Sequence, residues 1–371
     1  MHPLLVATLL MTTQDTSRFA PIAQIVNDAI ASRAFPGAVV VIGRHDAILY
    51  QQAFGHLDYE HRVAVGTRTV YDIASLTKVV GLTTMMMQLV HEGKVELDAP
   101  VVRYVPAFHD SSVTVRHLLT HSSGLAAFHQ WWPRVHSRQD MLNLVNSEPL
   151  EQPAGAKMVY SDIGAMLEME VAEAVSGQRI DRYLKARVFD PLGMRDTRYL
   201  PPRSWLSRIA PTEMDSAYRK TLVRGVVHDE NAYSMGGISG HAGLFSTGPD
   251  LAKIAQMLLS CTISDARRTT HEPAIVDCAT VQMFVRVQQP EFSSRALGWD
   301  TPSGQSSAGD LLSRHSFGHT GFTGTSMWMD PENDLFVILL TNRVYPTREN
   351  TQIFQVRRAV ADAAVTATTG R

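Results

Sequence analysis

Cysteine is nearly absent from this sequence of 371 residues, with Cys261 and Cys278 the only two. A disulfide-stapled scaffold and a four-thiolate zinc site are thereby excluded, while one bridge between the pair stays open. Runs of one charge are missing too. With 34 basic against 36 acidic residues and a formal net charge of -2, no basic stripe is offered to a phosphate backbone, and nucleic acid is excluded as a partner. Apolar runs fall short of bilayer length: residues 4–11 would make only a signal-peptide core and 335–340 only a strand, so no transmembrane segment is expected. No lysine or arginine precedes Arg18, and no small-residue cleavage site stands out. Residues 1–17 are therefore a weak candidate signal segment, and a periplasmic or secreted location is only narrowly favoured over a cytoplasmic one.

What is present is a globular chain, 44% hydrophobic and 19% charged. At roughly 150 residues per domain, its length allows two domains or one enzyme body with a large insertion. Phe19, Ile22, Val26, Ala29 and Ile30 recur at helical spacing until Phe35, Pro36 and Gly37 end the helix. Apolar, β-branched runs at 38–42 and 47–54 predict a hairpin; those at 326–329 and 335–341 predict another, followed by a helix over 347–364. Between these ends, helices are expected at 79–90, 115–120, 163–175, 180–188 and 251–259. The pattern predicts an α/β protein of the α+β type. One antiparallel sheet is shared by the two ends of the chain and flanked by N- and C-terminal helices, and a mostly helical second domain joins it. Residues 18–74 and 290–371 form the discontinuous sheet domain in this reading, 75–289 the helical one, with the site in the cleft between them. There is no internal repeat, and 303–309 reads as an exposed loop.

Three motifs carry chemistry. Ser75-Leu76-Thr77-Lys78 stands where a methionine-rich helix begins, so serine and lysine share one helical face and the amine can take the hydroxyl proton. Free N–H groups at that helix start can stabilise an oxyanion. With 27 Ser and 6 Lys, chance alone supplies about 0.4 such spacings per chain, so this motif needs company. Tyr160-Ser161-Asp162 follows a turn and opens a helix; Lys78 nearby is expected to favour the phenolate and make Tyr160 a proton shuttle, the bland alternative being a capping aspartate beside a packed aromatic. Gly318-His319-Thr320-Gly321-Phe322-Thr323-Gly324 precedes a strand, and its glycines let backbone approach a ligand, with the Phe322 N–H as a second oxyanion donor. Taken singly, that segment also reads as a bulged strand entry.

In this order the motifs resemble the serine hydrolases of the class C β-lactamase and penicillin-binding type, and residues 118–125 and 240–247 resemble recurring segments of that family. The resemblance implies a β-lactamase/transpeptidase-like fold and an acyl-serine route without metal or cofactor. Ser75 matches the nucleophile, Lys78 its activating partner and Tyr160 the shuttle, while Ser75 and Phe322 match the oxyanion donors. Two positions depart from the pattern: Asp162 stands where asparagine is usual, and His319, ahead of Thr320 and Gly321, stands where a lysine is usual. A mostly neutral imidazole should weaken recognition of a substrate carboxylate, and Asp162 should hold Lys78 protonated or bind a substrate ammonium. The expected activity is that of a carboxylesterase or D-amino-acid peptidase or amidase on a small molecule or short peptide, with poor β-lactamase activity. Rival readings are a true class C-like β-lactamase and a penicillin-binding sensor or carrier that is acylated and turns over poorly. Oligomeric state stays open.

His228, Asp229, Glu230, Asn231 and His241 form a polar cluster that reads as a loop near the cleft rather than a metal site, though a metal-dependent hydrolase is a third reading. Phe128, His129, Trp131 and Trp132 offer an apolar acyl pocket or packing beneath a loop. Met85, Met86 and Met87 fill helix core contacts, and His45, His56, His61, His109 and His136 are assigned to the surface.

Overall fold

β-Branched runs from opposite ends of the chain meet in one sheet. The computed structural model describes residues 17–263, 275–291, 293–304 and 306–370, so the candidate signal segment, apart from Ser17, lies outside the described residues. Strands β1 (Gly37–Gly43), β2 (Ile48–Gly55), β8 (Phe317–Thr320), β9 (Ser326–Asp330) and β10 (Leu335–Thr341) form an antiparallel sheet in the order β2-β1-β10-β9-β8. The β1 register pairs Val40 with Leu339 and Ile42 with Val337. Every residue of β1 and β10 is buried, because both faces are covered, and this is why their sequences are continuous apolar runs. Val39, Val41, Phe336 and Ile338 face the helical region. Val40, Ile42, Val337 and Leu339 face the terminal helices Ala20–Ala31 and Ile353–Thr369.

Shorter strands tie the helical region to the site: β3 (Tyr71–Asp72), β7 (Leu244–Ser246) and β4 (Arg198–Tyr199) pair in the order β3-β7-β4, and β5 (Met214–Asp215) pairs with β6 (Thr221–Leu222). The helix Gly248–Thr262 packs on β1, β9 and β10, and Asp162–Ser176 packs beside Thr84–His91.

Two expectations need correction. The last helix begins at Ile353, not at residue 347, because Arg343 Nη1 donates to the carbonyls of Arg348 (2.7 Å) and Asn350 (2.8 Å), which bends the intervening segment into a loop. His45 is not a surface residue. Its side chain is 8% exposed, and its Nδ1 lies 2.8 Å from Asp334 Oδ2, joining the β1–β2 turn to the β9–β10 turn.

Cys261 and Cys278 are bridged, tying the end of the helix Gly248–Thr262 to the start of Cys278–Val285 across a separation of 17 residues. Closing such a loop removes entropy from the unfolded chain. Replacing both cysteines with alanine is expected to lower unfolding stability by about 3 kcal/mol, read as a lower urea midpoint. An unchanged midpoint would show that the bridge adds nothing.

Candidate active site

The turn that carries Ser75 is held in a conformation that L residues rarely adopt. Ala74 has φ +46°, and its N–H donates to the buried Asp72 carboxylate at 2.8 Å. The other oxygen of Asp72 accepts the His228 N–H at 2.6 Å. Burial pushes the Asp72 carboxyl up, and these backbone donors oppose that rise. From the loop between β8 and β9, Thr323 Oγ1 donates to the Asp72 carbonyl at 2.7 Å and Thr325 Oγ1 to that of Ile73 at 3.1 Å. The Ser75 turn and the β8–β9 loop are thus clamped together.

Lys78 opens a π-helical turn, Lys78–Thr83, that runs on into Thr84–His91. Its Nζ donates to Ser75 Oγ (3.1 Å), Asp162 Oδ1 (2.6 Å) and the His241 carbonyl (3.1 Å), which occupies all three of its N–H bonds. Burial favours the neutral amine, but Asp162 and then Tyr160 outweigh it, and the pKa is raised. Asp162 therefore holds Lys78 protonated, as its charge suggests.

Tyr160 departs from expectation. Burial raises its pKa and outweighs the opposing pull of Lys78, so the resting group is a phenol and not a phenolate. Lys78 Nζ sits 4.8 Å from its ring centroid, and the His121 ring lies 4.6 Å away on another side. The hydroxyl is close enough to Lys78 and Ser75 for both to affect its titration, yet it makes no fully formed hydrogen bond.

Two cavities open on Ser75 and Tyr160. One, of about 270 Å³, is lined also by Arg295, His319, Thr320, Gly321 and Phe322. The other, of about 310 Å³, is lined also by Asp162, Asp229, His241, Phe128 and Phe322. All eight residues singled out in the sequence therefore share one site. Neither the Ser75 nor the Phe322 amide donates to any group among the described residues, which leaves both N–H bonds free for an oxyanion. A larger cavity of about 570 Å³, beside Leu200 and Tyr233, holds none of this chemistry.

His319 Nδ1 donates to the Thr320 carbonyl at 2.8 Å, and burial, then Arg295, depress its pKa well below the ordinary value. The imidazole is neutral, but the cavity does not lack a cation. Arg295 is 8% exposed, its guanidinium lies 5.4 Å from the Tyr160 ring centroid, and its Nε and Nη1 have no hydrogen bond, the Asp300 carboxylate standing 3.6 Å from Nε. Sequence reading missed it, since no motif surrounds it. His121 sits in the noted 118–125 segment but was given no role there.

The His228 cluster lines the second cavity. Asp229 caps the short helix Glu230–Ser234 and accepts from His241 Nε2 at 2.8 Å, while Glu230 pairs with Arg348. Phe128 lines the same cavity, whereas Trp131 is buried and Asn231 Oδ1 accepts the amides of both Trp131 and Trp132.

Replacing Asp162 with asparagine removes the charge that opposes burial at Lys78, so the amine should lose its proton at lower pH. The rising limb of acylation rate against pH is expected to move down by about one unit or more, read with an aryl ester. An unmoved limb would mean that Asp162 does not set the charge of Lys78. A second titration concerns stability: Glu168, buried behind Lys78 on Asp162–Ser176, has one oxygen without a partner, and burial pushes its pKa up to about 8. The folded chain keeps this proton where the unfolded chain has lost it, so the stability it lends is full below about pH 4.5 and gone above pH 8. Glu168→Gln should flatten the melting temperature across that window; an unchanged slope would rule this out.

Comparison with known proteins agrees with the geometry. The family model described as Beta-lactamase matches residues 22–362. A putative D-alanyl-D-alanine carboxypeptidase of Escherichia coli (strain K12) is 31% identical over 348 residues, covering 83% of this chain and 79% of the relative. One of Salmonella typhimurium (strain LT2) is 30% identical over 358 residues, covering 86% and 81%. Among solved structures, a penicillin-binding protein homologue from Caulobacter crescentus superposes with a TM-score of 0.74 at 19% identity, over 94% of this chain and 97% of that one. EstCE1, a hydrolase with promiscuous acyltransferase activity, superposes with a TM-score of 0.72 at 20% identity, over 94% and 100%. The β-lactamase/transpeptidase-like fold, with its five-stranded antiparallel sheet and terminal helices, is thus shared across the chain, which belongs to the Beta-lactamase family of class C and penicillin-binding-like serine hydrolases.

Proposed function

We propose that this chain is an acyl-serine hydrolase acting on short peptides that end in a D-amino acid with a free carboxylate. The observation that carries the reading is Arg295, a buried guanidinium whose Nη1 has no partner and whose Nε stands 3.6 Å from Asp300 Oδ1 without a hydrogen bond, in the cavity that holds Ser75, Tyr160 and His319. A buried donor left unpaired is costly, and a bound carboxylate would satisfy it. This replaces the expectation that a neutral His319 weakens carboxylate recognition, because a guanidinium lines the same cavity as the imidazole. The names of the relatives from Escherichia coli and Salmonella point the same way.

In this mechanism Lys78 first passes a proton to Asp162, its shortest contact, and the neutral amine then takes the proton of Ser75. Ser75 Oγ bonds to the acyl carbon, and the oxyanion is held by the amides of Ser75 and Phe322. Tyr160, kept neutral by burial, gives its phenolic proton to the leaving amine as the C–N bond breaks; Lys78 restores it and takes back the proton held by Asp162. Water then adds to the acyl carbon, its proton returns to Ser75, and the acid leaves.

We also propose that the protein works outside the cytoplasm, since its bridge between Cys261 and Cys278 suits an oxidising compartment.

Hydrolysis of a D-alanyl-D-alanine peptide is expected to exceed that of its C-terminal amide. Arg295→Gln should shrink this ratio by roughly tenfold or more, and Ser75→Ala should reduce all turnover by at least about a thousandfold. Equal rates on acid and amide would reject the carboxylate reading. A persistent adduct with one equivalent of product would favour a stalled penicillin-binding protein, and rapid nitrocefin turnover a β-lactamase.

A further inference from the structure

Arg357 projects from the helix Ile353–Thr369 and is 5% exposed. Among the described residues no carboxylate pairs with it. Its Nη2 donates instead to the carbonyl oxygens of Gly321 (2.7 Å) and Thr325 (2.8 Å), while its Nε is buried without a partner. Sinking a guanidinium without a counter-charge is expensive, and burial, then Arg343, pulls its pKa down to about 9. A packing role alone would be served by an apolar side chain at less cost.

The carbonyl that it grips belongs to a particular peptide. Gly321 C=O and Phe322 N–H are two ends of one amide plane, and this N–H is free and lines both cavities. The following carbonyl, of Phe322, accepts from Arg343 Nε at 2.8 Å. Both peptides around Phe322 are thus held from behind by buried cations. Gly321 itself lies so near the nucleophile turn that an added Cβ would stand 2.4 Å from the Ile73 carbonyl oxygen. Because an amide is conjugated, a donor at its oxygen draws electron density from the nitrogen and makes the N–H a stronger donor.

We infer that Arg357 is a positioning residue for the oxyanion site, orienting and polarising the Gly321–Phe322 peptide so that its N–H meets the acyl oxygen; this rests on the acyl-serine reading. Arg343 fixes the neighbouring peptide in the same way. The role needs no carboxylate on the substrate, which separates it from that of Arg295.

The test uses the aryl ester of a slowly released cinnamoyl group, labelled with ¹³C at the carbonyl, on the full chain and on R357M and R357K. In the parent protein the acyl-serine carbonyl stretch should lie at low wavenumber, as expected for a strongly hydrogen-bonded oxygen. In R357M it should move to higher wavenumber, with kcat falling about tenfold and KM holding, less than the loss for deleting an oxyanion donor outright. R357K keeps a cation with fewer donors, and should recover part of both. An unshifted stretch in variants whose activity falls only in step with melting temperature would overturn the inference and leave Arg357 a structural clamp. If R357M does not fold, an unshifted stretch in R357K has the same force. Failure of the parent protein to form any acyl-serine would instead strike the reading beneath.

Discussion

An ammonium sealed from water must find an acceptor for each of its protons, and Lys78 finds them on three separate segments: its own turn at Ser75, the start of a helix at Asp162, and the backbone before β7 at His241. Breaking any of these contacts would leave a buried charge short of a partner, which costs more than the contact itself contributes. The same atom thus joins the catalytic parts and sets their protonation. Lys78 rests charged and Tyr160 neutral, so in the proposed mechanism the first proton moves along the short contact to Asp162.

Around this centre, both cavities are lined by charge of both signs. One side holds carboxylates already engaged, Asp229 by His241 and Glu230 by Arg348. The other holds Arg295, whose Nη1 has no partner, with Asp300 3.6 Å from its Nε. The family position usually filled by lysine carries His319, whose proton on Nδ1 is committed to the Thr320 carbonyl. A different cation, Arg295, lines the cavity from the segment that precedes the edge strand β8.

What could be read from the sequence was whatever local chemistry dictates. Ser75 and Lys78 are one turn apart, so helical geometry alone brings them together, and the hairpins at both ends follow from β-branched runs broken by turn residues. Four of the five strands of the sheet and its terminal helices were legible on that basis, while the roles of Asp162 and His319 came only with the family resemblance. Arg295, Asp72 and Arg357 were not, because each acts on a partner far away in the chain and stands in no distinctive local pattern. The paired strands of two or three residues escaped notice because so short a segment shows no periodicity, and β8, with Gly318 and His319 in its middle, lacks an apolar alternation. The direction of the Tyr160 shift was misjudged for a related reason: burial depends on the whole fold, and a neighbouring charge was the only term visible.

The neighbours of β10 are β1 and β9, and β1 is separated from it by nearly the whole chain. During synthesis the first strand leaves the ribosome long before its partner exists, and the edge of β1 that pairs with β10 stays open until that strand emerges. A nascent chain built this way cannot complete its platform until β10 has emerged, so it stays open while everything between β1 and β10 is made. That delay leaves time for holdase chaperones to engage it, and keeps it threadable by any translocon it meets.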